Sequence, residues 1–225
     1  MPEVTSRRRV TSRAAGDRRY DTDHILGPWP SRKNARGEST RAKLLDAALQ
    51  AFAARGFHGT STRDLAEAAG MSAASVYVHY PTKEELLYQL SLSGHRDVQM
   101  VLEQAAARSE VPEEQLRAIA HDYTAWHARC HTMAQVVQYE MAALSPQHVE
   151  QIAQIRREMQ HRVRDIIAAG AEAGRFHVED ASIAALAVLS LGIDVARWYR
   201  EGGTWTPEYI AEHYRELALR LVGSA

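Results

Sequence analysis

A glycine-containing turn separates two short segments whose residue types suit contact with double-stranded DNA. Residues 69–72, Ala-Gly-Met-Ser, join a segment that begins at Ser61 to one that begins at Ala73. Two short helices joined by such a turn form a helix-turn-helix, and the second helix then lies in the major groove with its N-terminal residues near the base edges. The side chains of Ala73, Ala74 and Ser75 are small, so the backbone can approach the bases closely.

Residues further along the second segment can contact the DNA backbone. Tyr77 and His79 are placed to reach phosphates. Lys83 lies in the first turn of the next helix, where its ammonium and the helix N-terminus could hold one phosphate together. We expect Tyr80 in the core rather than at this surface. The pattern predicts a DNA-binding unit with few hydrogen bonds to bases.

The rest of the chain from Glu38 onward has helical spacing of apolar residues, and no segment of useful length alternates as a strand would. Ser61 with Asp64 predicts a capping box, as does Thr82 with Glu85. Ser-Pro at 145–146 and Thr-Pro at 206–207 each combine a cap with proline at the first helical position. The sequence therefore predicts an all-α fold of nine helices, the sixth of them over His131–Leu144.

Charge and composition change along the chain. Residues 1–37 have few large apolar residues and contain the run Arg7-Arg8-Arg9, so we expect a disordered basic arm. The net charge of −1 excludes a histone-like or ribosomal-type basic protein. The charge is unevenly distributed, however, because residues 1–93 carry 14 basic and 10 acidic side chains, whereas residues 94–225 carry 13 basic and 18 acidic ones. Residues 38–93 alone hold 5 basic and 6 acidic groups, so affinity for DNA would depend on helix dipoles and on the arm.

Other classes of protein receive little support from the sequence. A single cysteine, Cys130, cannot form an internal disulfide, which indicates a reducing, cytoplasmic location. No apolar run approaches the roughly 18–20 residues of a membrane span, and no apolar segment follows the N-terminal arginines as in a secretory signal. No nucleophile–base motif, phosphate-binding glycine loop or carboxylate pair is apparent, so we expect neither an enzyme nor a cofactor. For His127 and His131, packing is favoured over a metal site.

The stretch 40–87 resembles the DNA-binding domain of the tetracycline-repressor (TetR) family. The matching pieces are Phe-His-Gly-Thr-Ser at 57–61, Arg-Asp-Leu-Ala at 63–66, Gly-Met-Ser at 70–72, Tyr-Val-His-Tyr at 77–80, and Lys83. The resemblance implies that Arg63 reads a guanine, and that operator bases or backbone are contacted by Thr62, Ser75, Tyr77, His79 and Lys83. Ala73 and Ala74 would touch thymine methyl groups. The DNA-binding domain would then span 38–85.

The same resemblance implies that residues 86–225 bind an effector and dimerise. In the family, the last two helices pack against their copies in a second subunit, and the apolar face of the eighth helix fits that role. The preceding helices enclose an effector pocket, for which we expect apolar surface from Trp126, Met133, Val137 and Met141. Residues 194–203 and 206–210 look similar to the ends of family members that answer to coenzyme A thioesters. For the phosphates of such an effector the candidate cations are Arg197 and Arg200 on the eighth helix, and Arg129, Arg156 and Arg157 on helices facing it.

The expected function is therefore a homodimeric repressor that binds a palindromic operator and releases it when a small molecule fills the C-terminal domain. An acyl-coenzyme A thioester is the first candidate effector, and a drug or antibiotic is the second. A constitutive DNA-binding protein without an effector is a further alternative. The pocket residues could also be ordinary core, and each arginine could simply pair with a surface carboxylate.

Overall fold

The computed structural model describes residues 35–224, with side chains from residue 40 onward. This part of the chain is all-helical and holds no strand, which confirms the predicted fold class. Its nine α-helices are α1 (Ala35–Arg55), α2 (Thr62–Ala68), α3 (Ala73–His79), α4 (Lys83–Ala106), α5 (Pro112–Arg129), α6 (His131–Tyr139), α7 (Pro146–Glu172), α8 (Ala181–Trp198) and α9 (Pro207–Leu221). Residues 1–34 of the predicted arm lie outside the described part of the chain. Its last three residues, 35–37, belong to α1.

Local hydrogen bonds explain where the helices begin. The Ser61 hydroxyl accepts from the Asp64 N–H while the Asp64 carboxylate accepts from the Ser61 N–H, so this capping box forms as predicted. At the start of α4 only half of the predicted box is present. Thr82 accepts from the Glu85 N–H at 3.0 Å, but the Glu85 carboxylate accepts from Gln89 instead.

The sixth helix is shorter than the sequence predicts. It ends at Tyr139, and residues Met141–Ala143 form a separate 3₁₀ turn before α7. This turn packs on the N-terminal core, since Met141 and Ala143 lie against the cluster that contains Phe52 and Val76. The change of direction after Tyr139 therefore brings the chain back against α1–α3.

The molecule has two large apolar cores, and they do not divide at the predicted domain boundary. One core joins α1–α4 to residues of α6 and α7, including Val136 and Ile152. The other joins α4, α5, α7, α8 and α9 around Leu102, Ile119 and Ile167. Helices α4, α6 and α7 therefore pack directly against the helix-turn-helix unit through the N-terminal core.

Helix α8 corrects one expectation about membranes. Over Ala181–Trp198 it is 18 residues long with mean hydropathy 1.5, so by length and composition it could cross a bilayer. In the fold, however, one side of α8 is buried in the C-terminal core through residues such as Ala185 and Val188. Its outer side still carries exposed apolar residues, Ile183, Leu186 and Leu191, and α9 adds exposed apolar residues beside them, Leu217 and Leu221.

Candidate DNA-binding surface and effector cavity

The turn between α2 and α3 is held by backbone hydrogen bonds that require a glycine. The Met71 N–H donates to the Ala66 carbonyl at 2.8 Å, and the Gly70 N–H donates to the Glu67 carbonyl at 3.0 Å. This arrangement places Gly70 in the left-handed region with φ +67°, which residues with a side chain rarely adopt. Ser72 then caps α3 by accepting from the Ser75 N–H.

Helix α3 presents most of the predicted contact residues to solvent. Ala73 and Ala74 are exposed, Tyr77 is 52% exposed, and His79 is half-buried. The neighbouring Val78, which the sequence pattern did not single out, is 81% exposed and lies one helical turn beyond Ala74. An apolar side chain this exposed on α3 suits contact with a thymine methyl group. The signal that could have found it is the i+4 spacing from Ala74.

Val76, on the other side of α3, is buried, and so is Tyr80, the residue at which the helix ends, so Tyr80 is core as expected. On α2, Arg63 is exposed and Thr62 is half-buried.

Two predicted contact residues already have partners within the protein. The Ser75 hydroxyl lies 2.9 Å from the Ser72 hydroxyl, so it serves the cap of α3 as well as facing outward. The Lys83 ammonium donates to the carbonyls of Phe57 and Thr60, both at 2.7 Å, and lies 4.1 Å from the centroid of the Phe57 ring. Lys83 therefore differs from the expected free phosphate ligand: it joins the start of α4 to the loop that precedes α2.

A cavity of about 170 Å³ lies in the C-terminal half between α4, α5, α6, α7 and α8. Its lining contains three of the predicted pocket residues, Trp126, Met133 and Val137. The full lining is Gly94, His95 and Val98 of α4; Tyr123, Trp126 and His127 of α5; Met133, Ala134, Val137 and Gln138 of α6; Arg156, Met159 and Gln160 of α7; and Leu186, Leu189, Ser190 and Ile193 of α8. Most of these residues come from α4, α7 and α8, where sequence spacing alone could not show which side faces inward.

Two other predicted pocket residues lie elsewhere. Met141 belongs to the 3₁₀ turn and packs against the N-terminal core, because α6 ends before it. Arg197 is exposed and forms two hydrogen bonds to the Asp194 carboxylate one helical turn earlier, at 2.7 and 2.9 Å. Neither residue lines this cavity.

Most of the other candidate cations are also engaged outside the cavity. Arg129 pairs with Glu208, Arg157 pairs with Glu150, and Arg200 donates to backbone carbonyls.

The remaining candidate, Arg156, does line the cavity and is held by uncharged acceptors. Its Nε–H donates to Nε2 of His95 at 2.8 Å, and one terminal N–H donates to the Gln138 side chain at 3.0 Å. His95 in turn donates from Nδ1 to the Ser91 carbonyl at 2.7 Å, and His127 donates from Nδ1 to the Tyr123 carbonyl at 2.8 Å. These bonds fix both imidazole rings as Nδ1–H tautomers in which Nε2 is an acceptor.

Burial determines the charge state of this end of the cavity. Burial, with a smaller contribution from the Arg156 charge, lowers the pKa of His95 to about 4. Burial likewise lowers the pKa of His127 to about 4, with smaller contributions from His95 and Arg156. Both histidines are therefore neutral near pH 7, and Arg156 is the cationic residue of the lining.

A contact joins the N-terminal ends of α4 and α7 close to the helix-turn-helix. Oε1 of Glu84 accepts from the Ser145 N–H at 2.8 Å and from Nδ1 of His148 at 2.7 Å. The His148 ring stacks on Tyr88 with 3.7 Å between centroids. Glu84 follows α3 by only a few residues, and α7 also carries the cavity residue Arg156.

The side chains of Glu84, Glu85 and His148 also come within 4.8 Å of one another, as metal ligands can, although Nδ1 of His148 is already bonded to Glu84. The sequence also offered His127 and His131 as a less favoured pair of metal ligands. Nδ1 of each ring lies within hydrogen-bond distance of a backbone carbonyl of α5.

The helix-turn-helix defines a DNA-binding protein, and the cavity lies apart from it in the C-terminal half. Comparison with known protein families supports this assignment to DNA-binding proteins. The sequence pattern described as "Bacterial regulatory proteins, tetR family" matches residues 44–90, and the pattern "Tetracyclin repressor-like, C-terminal domain" matches residues 109–222. The chain therefore belongs to the TetR family, and it is a DNA-binding transcriptional regulator.

Similar proteins include repressors and solved regulators of the same fold. The chain is 30% identical over 186 residues to the HTH-type transcriptional repressor KstR2 of Mycobacterium tuberculosis, covering 80% of this chain and 92% of that protein. A tetR-family regulatory protein of Rhodococcus RHA1 is 44% identical, with TM-score 0.78, covering 83% of this chain and 98% of that one. A third structure, AibR in complex with isovaleryl coenzyme A and operator DNA, has TM-score 0.74 at 21% identity, covering 83% of this chain and all of that one.

Proposed function

We propose that this repressor reads a palindromic operator mainly through Arg63 and the exposed face of α3, and that an effector in the cavity between α4 and α8 releases it. The observation that carries the proposal is the position of the cavity. It is lined by α4 and α7, and the same two helices are joined through Glu84 and His148 next to the helix-turn-helix. An effector that binds better when α4 and α7 have shifted favours the DNA-free state.

The effector class that the relatives favour is an acyl-coenzyme A thioester. A regulator of this fold was solved with isovaleryl coenzyme A and operator DNA, so the fold accommodates both ligands. A cavity of about 170 Å³ is close to the roughly 150 Å³ that holds a benzene molecule in an engineered protein core. The enclosed acyl group would then be a short branched chain or a single ring, and a coenzyme A moiety would extend outside.

A cationic drug is the second candidate, and the electrostatics of the cavity count against it. Arg156 lines the cavity, and no acidic residue of the described part of the chain does. A buried cation would meet a like charge without a compensating carboxylate. As a regulator of transcription the protein is proposed to act in the cytoplasm and to have no catalytic activity of its own.

The effector half of the proposal is tested by operator release. Isovaleryl, phenylacetyl and long-chain coenzyme A thioesters, their free acids, free coenzyme A and a cationic drug are titrated into the protein–operator complex. We expect short-chain or single-ring acyl compounds to release the operator, and we expect their own affinity to fall when DNA is present. Ala134→Leu, which fills the cavity, should abolish release, while Ala107→Leu at the exposed end of α4 should not. Release by the cationic drug alone would overturn the acyl proposal.

The DNA half is tested with operator variants in a fixed salt concentration. A bidentate arginine–guanine contact gives about 1–3 kcal/mol of discrimination against other bases. Arg63→Ala should therefore relax preference at one symmetric pair of positions. Arg55→Ala, which removes an exposed arginine from the end of α1, is the charge-matched control and should leave base preference intact. Unchanged preference in Arg63→Ala would remove this residue from base reading.

A further inference from the structure

Arg156 differs from the other arginines of α7 in having no carboxylate partner. Arg157, Arg162 and Arg164 each lie within 4.0 Å of an acidic oxygen, from Glu150, Glu103 and Asp165 respectively. Within the described residues no carboxylate lies within that distance of the Arg156 guanidinium, whose partners are the neutral His95 ring and the Gln138 amide. Arg156 is half-buried, and burial lowers its pKa because it disfavours the charged form.

The guanidinium is nonetheless held in one position by hydrogen bonds. Two of its five N–H groups are used by His95 of α4 and Gln138 of α6. The remaining donors belong to a side chain that lines the cavity together with Tyr123 and His127. A planar donor group fixed in this way matches the two oxygens of a carboxylate and needs little reorganisation on binding.

The other residues of the cavity indicate what kind of molecule would carry such a carboxylate. Its walls are largely apolar, with Met133, Val137, Met159 and Leu189 as examples. At about 170 Å³ the space suits one ring or a short branched chain. An apolar pocket with a few convergent polar groups is the usual form of a small-molecule site.

We propose that the enclosed part of the effector is a short acyl chain or a single ring that bears a carboxylate, and that this carboxylate pairs with Arg156. The inference rests on the proposed function, because it takes the cavity as the effector site. Two sources share this chemistry: a free carboxylic acid, and the half-thioester of a dicarboxylic acid whose coenzyme A moiety lies outside the cavity. A simple monocarboxylic thioester lacks the negative charge at this position and should bind less tightly.

The test compares acids with neutral analogues of the same shape. Isovalerate, benzoate and phenylacetate are measured against their amides by calorimetry, and glutaryl coenzyme A is measured against butyryl coenzyme A. We expect at least one charged member to bind about ten-fold more tightly than its neutral match, since hydrogen bonds to a charged group are roughly twice as strong as neutral ones. The acid arm and the thioester arm distinguish the two sources.

Variants at adjacent positions assign the preference to one side chain. Arg156→Gln keeps an N–H donor for His95 but removes the charge, and should abolish the preference for acids. Arg156→Lys should retain part of it. Arg157→Gln, which alters the neighbouring exposed arginine that pairs with Glu150, should bind like the unmodified protein. Preference for the acid that survives in Arg156→Gln overturns the inference, as does equal affinity for acids and amides.

A second measurement makes the result independent of the choice of acid. Formate and acetate fit any cavity that admits a carboxylate, so the Nε–H resonance of Arg156 should shift on titration with either ion and not with acetamide. The resonance is assigned by its loss in Arg156→Gln. An unmoved resonance overturns the inference. If neutral compounds release the operator while carboxylates neither bind nor shift this resonance, the inference fails and the proposed function stands. If Ala134→Leu responds to every effector as the unmodified protein does, the proposed function itself fails.

Discussion

Replacing Lys83 with methionine distinguishes a structural lysine from a phosphate-binding one. The ammonium donates to the carbonyls of Phe57 and Thr60 at 2.7 Å each and lies 4.1 Å from the centroid of the Phe57 ring. Both Phe57 and Thr60 are buried, so the loop between α1 and α2 is fastened to the first turn of α4 through one side chain. Methionine keeps an apolar chain of similar length and removes the charge and the donors.

The expected cost follows from those contacts. A hydrogen bond that involves a charged group contributes about 1.5–3 kcal/mol, and a cation–π contact at a partly exposed site adds about 0.5–1 kcal/mol. These contributions are not additive, and water can reach the two carbonyls once the ammonium is gone, because Lys83 is only half-buried. We therefore expect Lys83→Met to lower the free energy of unfolding by about 2–4 kcal/mol.

Denaturant unfolding and salt-dependent operator binding are measured on the same samples, with exposed Lys43→Met as the control. Each phosphate contact contributes about −0.9 to the slope of log K against log salt concentration. A structural lysine gives lower stability with an unchanged slope at concentrations where the variant is folded. Unchanged stability with a slope shallower by about one per subunit would refute this reasoning and restore Lys83 as a phosphate ligand.

Four further outcomes are expected. Leu191→Glu, on the exposed apolar face of α8, should yield monomers or aggregates by sedimentation, whereas Val111→Glu at an equally exposed position should stay dimeric. Gly170→Ala should lower the free energy of unfolding by about 1–3 kcal/mol, because the new Cβ would lie 2.2 Å from the Phe176 ring. In the control Gly94→Ala the new Cβ would lie 3.4 Å from Met133 Cγ, so this variant should be neutral or stabilising. The pKa of His95 and of His127 is about 4 in the folded protein and 6.5 in the unfolded chain. The free energy of unfolding should therefore fall as the pH drops from about 6.5 toward 4, by up to roughly 1.4 kcal/mol per pH unit for each ring. His95→Gln should flatten that slope, and exposed His213→Gln should not. Removing residues 1–34 should make the salt slope of operator binding shallower by about one or more per subunit, and an identical slope would show that the arginines of the arm bind no phosphates.

The sequence by itself determined the all-helical fold and where several helices begin. Caps such as Ser61 with Asp64, and the Ser145–Pro146 start of α7, act through hydrogen bonds and backbone restrictions within three or four residues. Helical periodicity likewise explains why Val76 is buried while Val78, on the opposite side of α3, is exposed. Local interactions of this kind are present in the chain before it folds.

Only the tertiary structure decided which side chains meet across the molecule. Lys83 binds carbonyls more than twenty residues earlier, Arg156 binds a histidine 61 residues away, and Arg197 turns to Asp194 rather than to the cavity. Long cationic side chains have several partners within reach, and packing of five separate helices selects among them. Sequence spacing fixes the direction of a Cβ atom on its own helix. The shape of the cavity, the end of α6 before Met141 and the missing counter-charge of Arg156 depend on where the other helices lie.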